Sequence, residues 1–369
     1  MKFLKSGMAS RRQVLKFGAA GALGAAAAMM PLSRSVFAQT PGAGAIRLIH
    51  ASPAILSLWS VTFLAEDMGF YKDEGLDFER IPLNGGPAAM TALLAGEGEA
   101  NCSAPGELLS ANAYGQRVKI IESYTNSDAY TFVVTKAFAD AHGVTAESSL
   151  AEREAALRGA KGSKFGITAP GSHTDLTTRM AVAQVGLDAV GDVTIVPLQN
   201  IVNVSTALGQ GAIDGGALLS PFTEQVIAEF GVVPLLSIAA GDIPAASRLQ
   251  GQVLQARPED IEERPDSFAA MVRADLKALR MIVETPDEAG AKLRSTRFGS
   301  LDEAIWPAVW AGQLPTFRSP FVTEDSLRAW IETGTIGGEP DPATFAYADI
   351  IDMQFVEAGL AANGWTPPA

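Results

Sequence analysis

Two stretches of this chain repeat each other at a fixed distance. "IPLNGG" (81–86) and "VPLQN" (196–200) begin 115 residues apart, and at the same offset "TALLAGEGE" (91–99) lies over "TALGQGAID" (206–214). Pro82 falls on Pro197, Thr91-Ala92-Leu93 on Thr206-Ala207-Leu208, Gly96 on Gly211 and Glu99 on Asp214, with no slip of register. Two strand–helix–strand units share composition, and that alone would produce some matches. A constant offset through strand, loop, helix and next strand points to two lobes of similar build, each presenting one such unit to a shared cleft.

Local patterns agree. "IRLIH" (46–50), "LDFERIPL" (76–83), "VKIIESY" (118–124), "YTFVV" (130–134), "KFGIT" (164–168) and "VTIVPL" (193–198) read as strands. "PAAMTALLAGE", "TDLTTRMAVAQVGL" and "IVNVSTALGQG" carry apolar residues at helical spacing. Alternation of this kind predicts an α/β fold with largely parallel sheets, whose ligands bind outside the carboxyl ends of the strands. Beyond about residue 257 the pattern turns helical, with Pro258, Pro265 and Pro286 each at a position where a helix begins. At 369 residues and 47% hydrophobic content, the chain can bury a large core, and its length predicts two domains.

The amino terminus reads as a targeting segment. Lys2, Lys5, Arg11, Arg12 and Lys16 precede the weakly apolar "FGAAGALGAAAAMM" (17–30), and "SRSVFA" supplies Val36 and Ala38 ahead of a cleavage point before Gln39. The apolar run is shorter than the ~20 residues a membrane span requires. The paired arginines resemble the twin-arginine class of export signals, although Val14 stands where Phe is commoner. Export by the twin-arginine translocase to the periplasm is therefore expected, with residues 1–38 removed. Those residues hold six Lys or Arg and no Asp or Glu, so cleavage takes the formal charge from −13 to −19. Such acidity argues against nucleic-acid or anionic-membrane partners. Cys102 is the single cysteine, which excludes an intrachain disulfide, and it reads as a small buried hydrophobe.

Candidate binding residues follow from where helices start. "ASPAILSLWS" after the first strand offers Ser57 and Trp59; "NGGP" offers Asn84 and the backbone of Gly85 and Gly86; "SAPGE" offers Ser103. In the second lobe "APGSHTDL" places Gly171, Ser172, His173 and Thr174 at a helix amino terminus, where free N–H groups favour an anion. Ser172 or Thr174 can equally be an N-cap alone, Trp59 a core residue, and the glycines a turn. His50, His142 and His173 have no metal-ligand spacing, and neither a phosphate loop nor a nucleophile elbow is present, so no metal, cofactor or catalytic residue is expected.

"AEDMGFYKDEGLDFE", the Gly-bearing loop before each "TAL" helix and the "RPEDIEERPDSF" return segment, in this order and spacing, resemble the nitrate/sulfonate/taurine/thiamine-precursor group of periplasmic substrate-binding proteins. The resemblance spans nearly the whole mature chain. It implies a type II periplasmic-binding-protein fold, α/β and two-lobed, with lobe 1 formed by 45–128 plus 247–369 and lobe 2 by 129–246. The chain would cross between lobes near 125–130 and 239–250. It also implies a monomer that captures a small organic or inorganic anion by lobe closure and delivers it to an ABC permease and its ATPase. A neutral heterocycle such as a thiamine pyrimidine precursor, or an enzyme of the related pyrimidine-synthase type, is the alternative. Where many members carry an aromatic-Asp-Pro-Phe run, this chain has "LLSPF", so Ser220 replaces the acid and one partner for a ligand amine is missing. Arg248, near the second crossing, is a further candidate donor.

Overall fold

The computed structural model describes residues 43–368. The basic segment, apolar run and cleavage point read from residues 1–38 lie outside the described residues. No helix among those described is long and apolar enough to cross a membrane.

Two five-stranded sheets form the frame. The first holds β1 (Gly44–His50), β2 (Leu76–Pro82), β3 (Ala100–Ser103), β4 (Lys119–Ser123) and, returning late in the chain, β10 (Val253–Ala256). The second holds β5 (Thr131–Val134), β6 (Lys164–Ile167), β7 (Thr194–Pro197), β8 (Gly215–Leu218) and β9 (Val233–Ser237). Their orders, β2-β1-β3-β10-β4 and β7-β6-β8-β5-β9, are the same pattern twice. In each, the fourth place belongs to the strand that arrives from the other sheet, and it runs against both of its neighbours. The sheets are thus mixed, with one reversed strand each.

The duplication read from sequence extends to element boundaries. The helix Gly86–Leu94 and the helix Ile201–Gly209 are offset by 115 at both ends, as are β3 and β8. Helices cover both faces of the interior strands, and β3, β8 and β10 are buried along their whole length; the polar Asn101 and Ser103 of β3 are satisfied there by Gln255 of β10. Close approach of backbones dictates composition at one place: a Cβ on Gly216 would lie 2.6 Å from the Gly166 carbonyl oxygen, so β6 and β8 can meet there only through glycines.

Pro258, Pro265 and Pro286 each open a helix: Pro258–Glu263, Pro265–Glu284 and Pro286–Thr296. The fixed φ of proline suits the first turn, where its missing N–H is not needed. The 20-residue helix Pro265–Glu284 buries Phe268, Met271, Leu276 and Ile282 against the first lobe and carries Asp275 into that core. There Asp275 accepts hydrogen bonds from Tyr71 (2.5 Å) and Tyr124 (2.7 Å), the compensation a buried carboxyl requires. Cys102 is a free, fully buried residue of β3.

Candidate functional site

Parallel strands that feed helices deliver their connecting loops to one edge, and here both sheets do so toward each other. The loop after β1 carries the short 3₁₀ turn Ser57–Trp59, and β2 leads through Gly85 into the helix Gly86–Leu94. β3 leads into the helix Pro105–Ala113, β6 into His173–Gln184, and β7 through Asn200 into Ile201–Gly209. A cavity of about 60 Å³ lies where these loops meet. That is room for on the order of four to six water-sized atoms, the size of a nitrate, a sulfonate head or one six-membered ring.

One lobe lines the cavity with Trp59, Gly85, Gly86, Ser103 and Glu107, and the other with Thr168, Ser172, His173, Thr174 and Asn200. Tyr130 and Gln252 enter from the two crossing segments. Neither Lys nor Arg lines it among the described residues. Most of its hydroxyls are already engaged. Ser172 Oγ caps its helix by accepting from the Asp175 N–H (3.4 Å) and accepts from Thr168 Oγ1 (2.9 Å). Thr174 Oγ1 accepts from the Thr168 N–H (2.9 Å), and Ser103 Oγ accepts from Asn101 Nδ2 (2.9 Å) and Gln255 Nε2 (3.2 Å).

The unengaged groups are acidic or aromatic. Glu107 Oε2 is buried without a hydrogen-bond partner among the described residues. Its Oε1 lies over Gly86, where an added Cβ would stand only 1.8 Å away. Burial pushes this carboxyl up to about 7, so near neutrality it can hold or release a proton. His173 stacks on Tyr130 at 4.4 Å and packs against Trp330 in a T-shaped contact at 4.8 Å. Its Nε2 is 3.1 Å from Asp128 Oδ2 but makes no aligned hydrogen bond. Burial pulls His173 down to about 3 and holds Asp128 well above the usual carboxylate range, so desolvation favours the neutral form of both groups. Trp59 closes the far wall, packed on the His50 ring at 4.5 Å.

Of the residues expected from sequence, Trp59, Gly85, Gly86, Ser103, Ser172, His173 and Thr174 meet in the cavity. Four do not line it. Ser57 is fully buried, its hydroxyl given to the Ser220 carbonyl (3.1 Å) and Gln313 Oε1 (2.9 Å), so it joins the lobes instead of facing a ligand. Ser220 turns its own hydroxyl to Glu224 Oε1 (2.7 Å). Asn84 is exposed beside the glycine turn, and Gly171 is exposed on an adjoining groove. Arg248 is also elsewhere, paired on the surface with Asp325 and Glu332.

Sequence reasoning missed Asn200, Glu107 and Tyr130. The repeat itself held the signal for Asn200, which stands 115 residues after Gly85. Glu107 lies inside "SAPGE", where Ser103 alone was singled out, and it leans back along its helix toward the amino terminus, as helical side chains do. Tyr130 had no local signal, since only the crossing of the chain brings it to the cleft.

A family model described as the NMT1-like family matches residues 52–293. No curated protein matches the chain. Solved structures do. A Bordetella bronchiseptica RB50 protein shares 21% identity and a TM-score of 0.72, over 87% of this chain and 98% of that one. The alkanesulfonate-binding protein SsuA from Xanthomonas axonopodis pv. citri, bound to MOPS, shares 15% identity and a TM-score of 0.64, covering 84% and 98%. The periplasmic nitrate-binding protein NrtA from Synechocystis PCC 6803 shares 13% identity and a TM-score of 0.62, covering 86% and 88%. At such identities the likeness carries the fold, the periplasmic-binding-protein fold with its two mixed sheets.

Proposed function

This chain belongs to the NMT1-like family, and from that premise we propose that it is the solute-binding component of an ABC importer, closing its lobes on one small ligand and handing it unchanged to a permease. It would work as a monomer in the periplasm, with lobe 1 built from 45–128 plus 247–369 and lobe 2 from 129–246. The twin-arginine route would export it, with cleavage after Ala38. Replacing Arg11 and Arg12 together by Lys should leave the precursor in the cytoplasm; periplasmic protein in a strain lacking that translocase would refute the route.

For the ligand, a small nitrogen heterocycle fits the cavity better than a permanent anion. The supporting observation is Glu107: a buried carboxyl whose Oε2 has no partner, able to carry or release a proton, in a cavity that no cationic side chain lines among the described residues. A protonated carboxyl donates O–H to a ring nitrogen and accepts from an exocyclic amine on the same edge, and the Trp59 and Tyr130 rings form apolar walls. Convergence of several helix amino termini, at Gly86, His173 and Ile201, favours the second reading, a nitrate- or sulfonate-like anion. Thermal-shift titration of the purified protein with 4-aminopyrimidine, nitrate, methanesulfonate and taurine separates the two. A ligand at a hundredfold excess over its Kd adds about 2.7 kcal/mol. Stabilisation by the pyrimidine, lost in Gly86→Ala because the new Cβ displaces the Glu107 carboxyl, is the expected result; stabilisation by the anions alone would reject the heterocycle. Mass spectrometry of the recovered ligand distinguishes a binder, which leaves it intact, from an enzyme.

A further inference from the structure

The 60 Å³ cavity has a much larger neighbour. A groove of about 630 Å³ begins at Glu107 and Ser172, which line both spaces, and runs outward between the helix Pro105–Ala113 of one lobe and the helix His173–Gln184 of the other. Its floor and walls include Met90, Leu176 and Ile336, with Trp330 at the inner end, where it also touches His173. Tyr114, an aromatic left 70% exposed, stands on the outer rim.

Arg179 is the groove's cation. Its Nε donates to Asp175 Oδ1 at 2.7 Å, one helical turn back, which holds the side chain along its own helix on the groove wall. Asp175 Oδ2 is taken by the Gly171 N–H at 2.9 Å. The terminal nitrogens of Arg179 have no hydrogen-bond partner among the described residues and remain able to donate. From Ser172 to Arg179 the helix advances roughly 10 Å, and the side chain recovers about one turn of that.

Resting on the reading of the cavity as a heterocycle site, we infer that the groove is a second compartment for the same ligand: the ring sits at Glu107, and a flexible arm passes between the two helices to end in a hydrogen-bond acceptor, best a carboxylate, at Arg179. Continuity of the two spaces and the donor at the far end carry this. The cavity alone selects a ring; the groove selects what the ring bears. A carboxylate fits a guanidinium with two parallel hydrogen bonds, whereas a carboxamide offers one acceptor and a methyl none.

Isothermal titration tests it with 4-aminopyrimidine and with three derivatives whose C5 propyl arm ends in methyl, carboxamide or carboxylate. The carboxylate derivative should bind at least tenfold more tightly than 4-aminopyrimidine, with the carboxamide between it and the methyl. Arg179→Gln should erase the difference among the three ends. Thr335→Trp, an exposed position on the groove, should erase the gain from any arm by filling the space. Binding of the ring with no gain from any arm, or gains that survive both substitutions, would overturn the groove while leaving the cavity standing. Failure of the ring and every derivative to bind would overturn the reading of the cavity and this inference with it.

Discussion

Glu107 is the residue at which environment decides chemistry. Its carboxyl is pushed up to about 7 from an ordinary 4.5, with burial as the leading cause and a backbone hydrogen bond acting weakly against it. A folded-state value above the unfolded one means that the native protein holds the proton more tightly than the unfolded chain. Stability therefore falls as pH rises from about 4.5 to about 7 and levels off beyond. At 1.36 kcal/mol per unit of displacement, the loss is about 3 kcal/mol. Glu107→Gln removes this ionisation, so the variant should be more stable than the wild type at pH 8 by up to that amount and equal to it near pH 4.5. Urea unfolding at the two pH values measures the difference; an advantage of the same size at both would mean that Glu107 does not titrate in this range. Its neighbours show the same logic, since burial lowers His173 to about 3 and raises Asp128 well above the usual carboxylate range, favouring the neutral form of each.

Among the elements, the helix His173–Gln184 does two jobs at one end. Its N-cap Ser172 accepts from the Asp175 N–H, and the same hydroxyl joins Thr168 and Thr174 in a network that forms one wall of the cavity. Ser172→Ala should cost about 1 kcal/mol of stability as a lost cap and also weaken ligand binding about tenfold, because Thr168 and Thr174 lose their shared partner. Thr135→Ala supplies the comparison: Thr135 caps Lys136–His142 by accepting from the Phe138 N–H, and it does not line the cavity. It should cost the same stability with no change in affinity. Equal effects on affinity in both variants, measured by calorimetry, would mean that the cap acts only on folding. The two repeated helices differ at this level too, since Asn200 caps Ile201–Gly209 with its side chain whereas Gly85 leads into Gly86–Leu94 without one.

Across the whole molecule, the lobes are joined by more than the two crossing segments. Gly251 lies in the return crossing where a Cβ would stand 2.6 Å from the Thr125 carbonyl oxygen, so the two crossings run in contact. Gln250 binds them further, donating to Ser123 Oγ and to the Thr125 carbonyl at 2.8 Å each. Trp330 then reaches in from beyond the segment that matches the family: its Nε1 donates to the Gln250 carbonyl (2.9 Å), its ring rests on Gly106, and it meets the His173 ring in a T-shaped contact at 4.8 Å. One side chain thus touches a helix of the first lobe, the crossing and the second lobe's cavity wall. Trp330→Leu should lower ligand affinity at least tenfold, about 1.4 kcal/mol, and leave the ligand-free protein with a larger radius of gyration than the wild type. Small-angle scattering and calorimetry read the two effects. Unchanged dimensions and affinity would reduce Trp330 to a packing residue.

Periodicity and spacing sufficed for whatever depends on neighbours along the chain. Apolar runs marked β1, β2, β4, β5, β6 and β7 but not the short β3, β8, β9 and β10, proline marked the starts of Pro258–Glu263, Pro265–Glu284 and Pro286–Thr296, and the 115-residue offset marked the equivalence of Gly86–Leu94 with Ile201–Gly209. Loops that follow parallel strands must emerge at one edge, so Gly85, Gly86, Ser103, Ser172 and His173 were legible as cavity residues from order alone. Reversal of β5 and β10 was not, because strand direction in a sheet is set by which neighbour a strand meets after crossing. Ser57 and Ser220 looked like ligand donors until packing brought them together, each hydroxyl finding a protein partner first. Glu107 acquired its raised proton affinity, and Tyr130, Gln252 and Trp330 their places around the cleft, from burial among residues distant in sequence. Desolvation and orientation are properties of the assembled interior, and no local pattern encodes them.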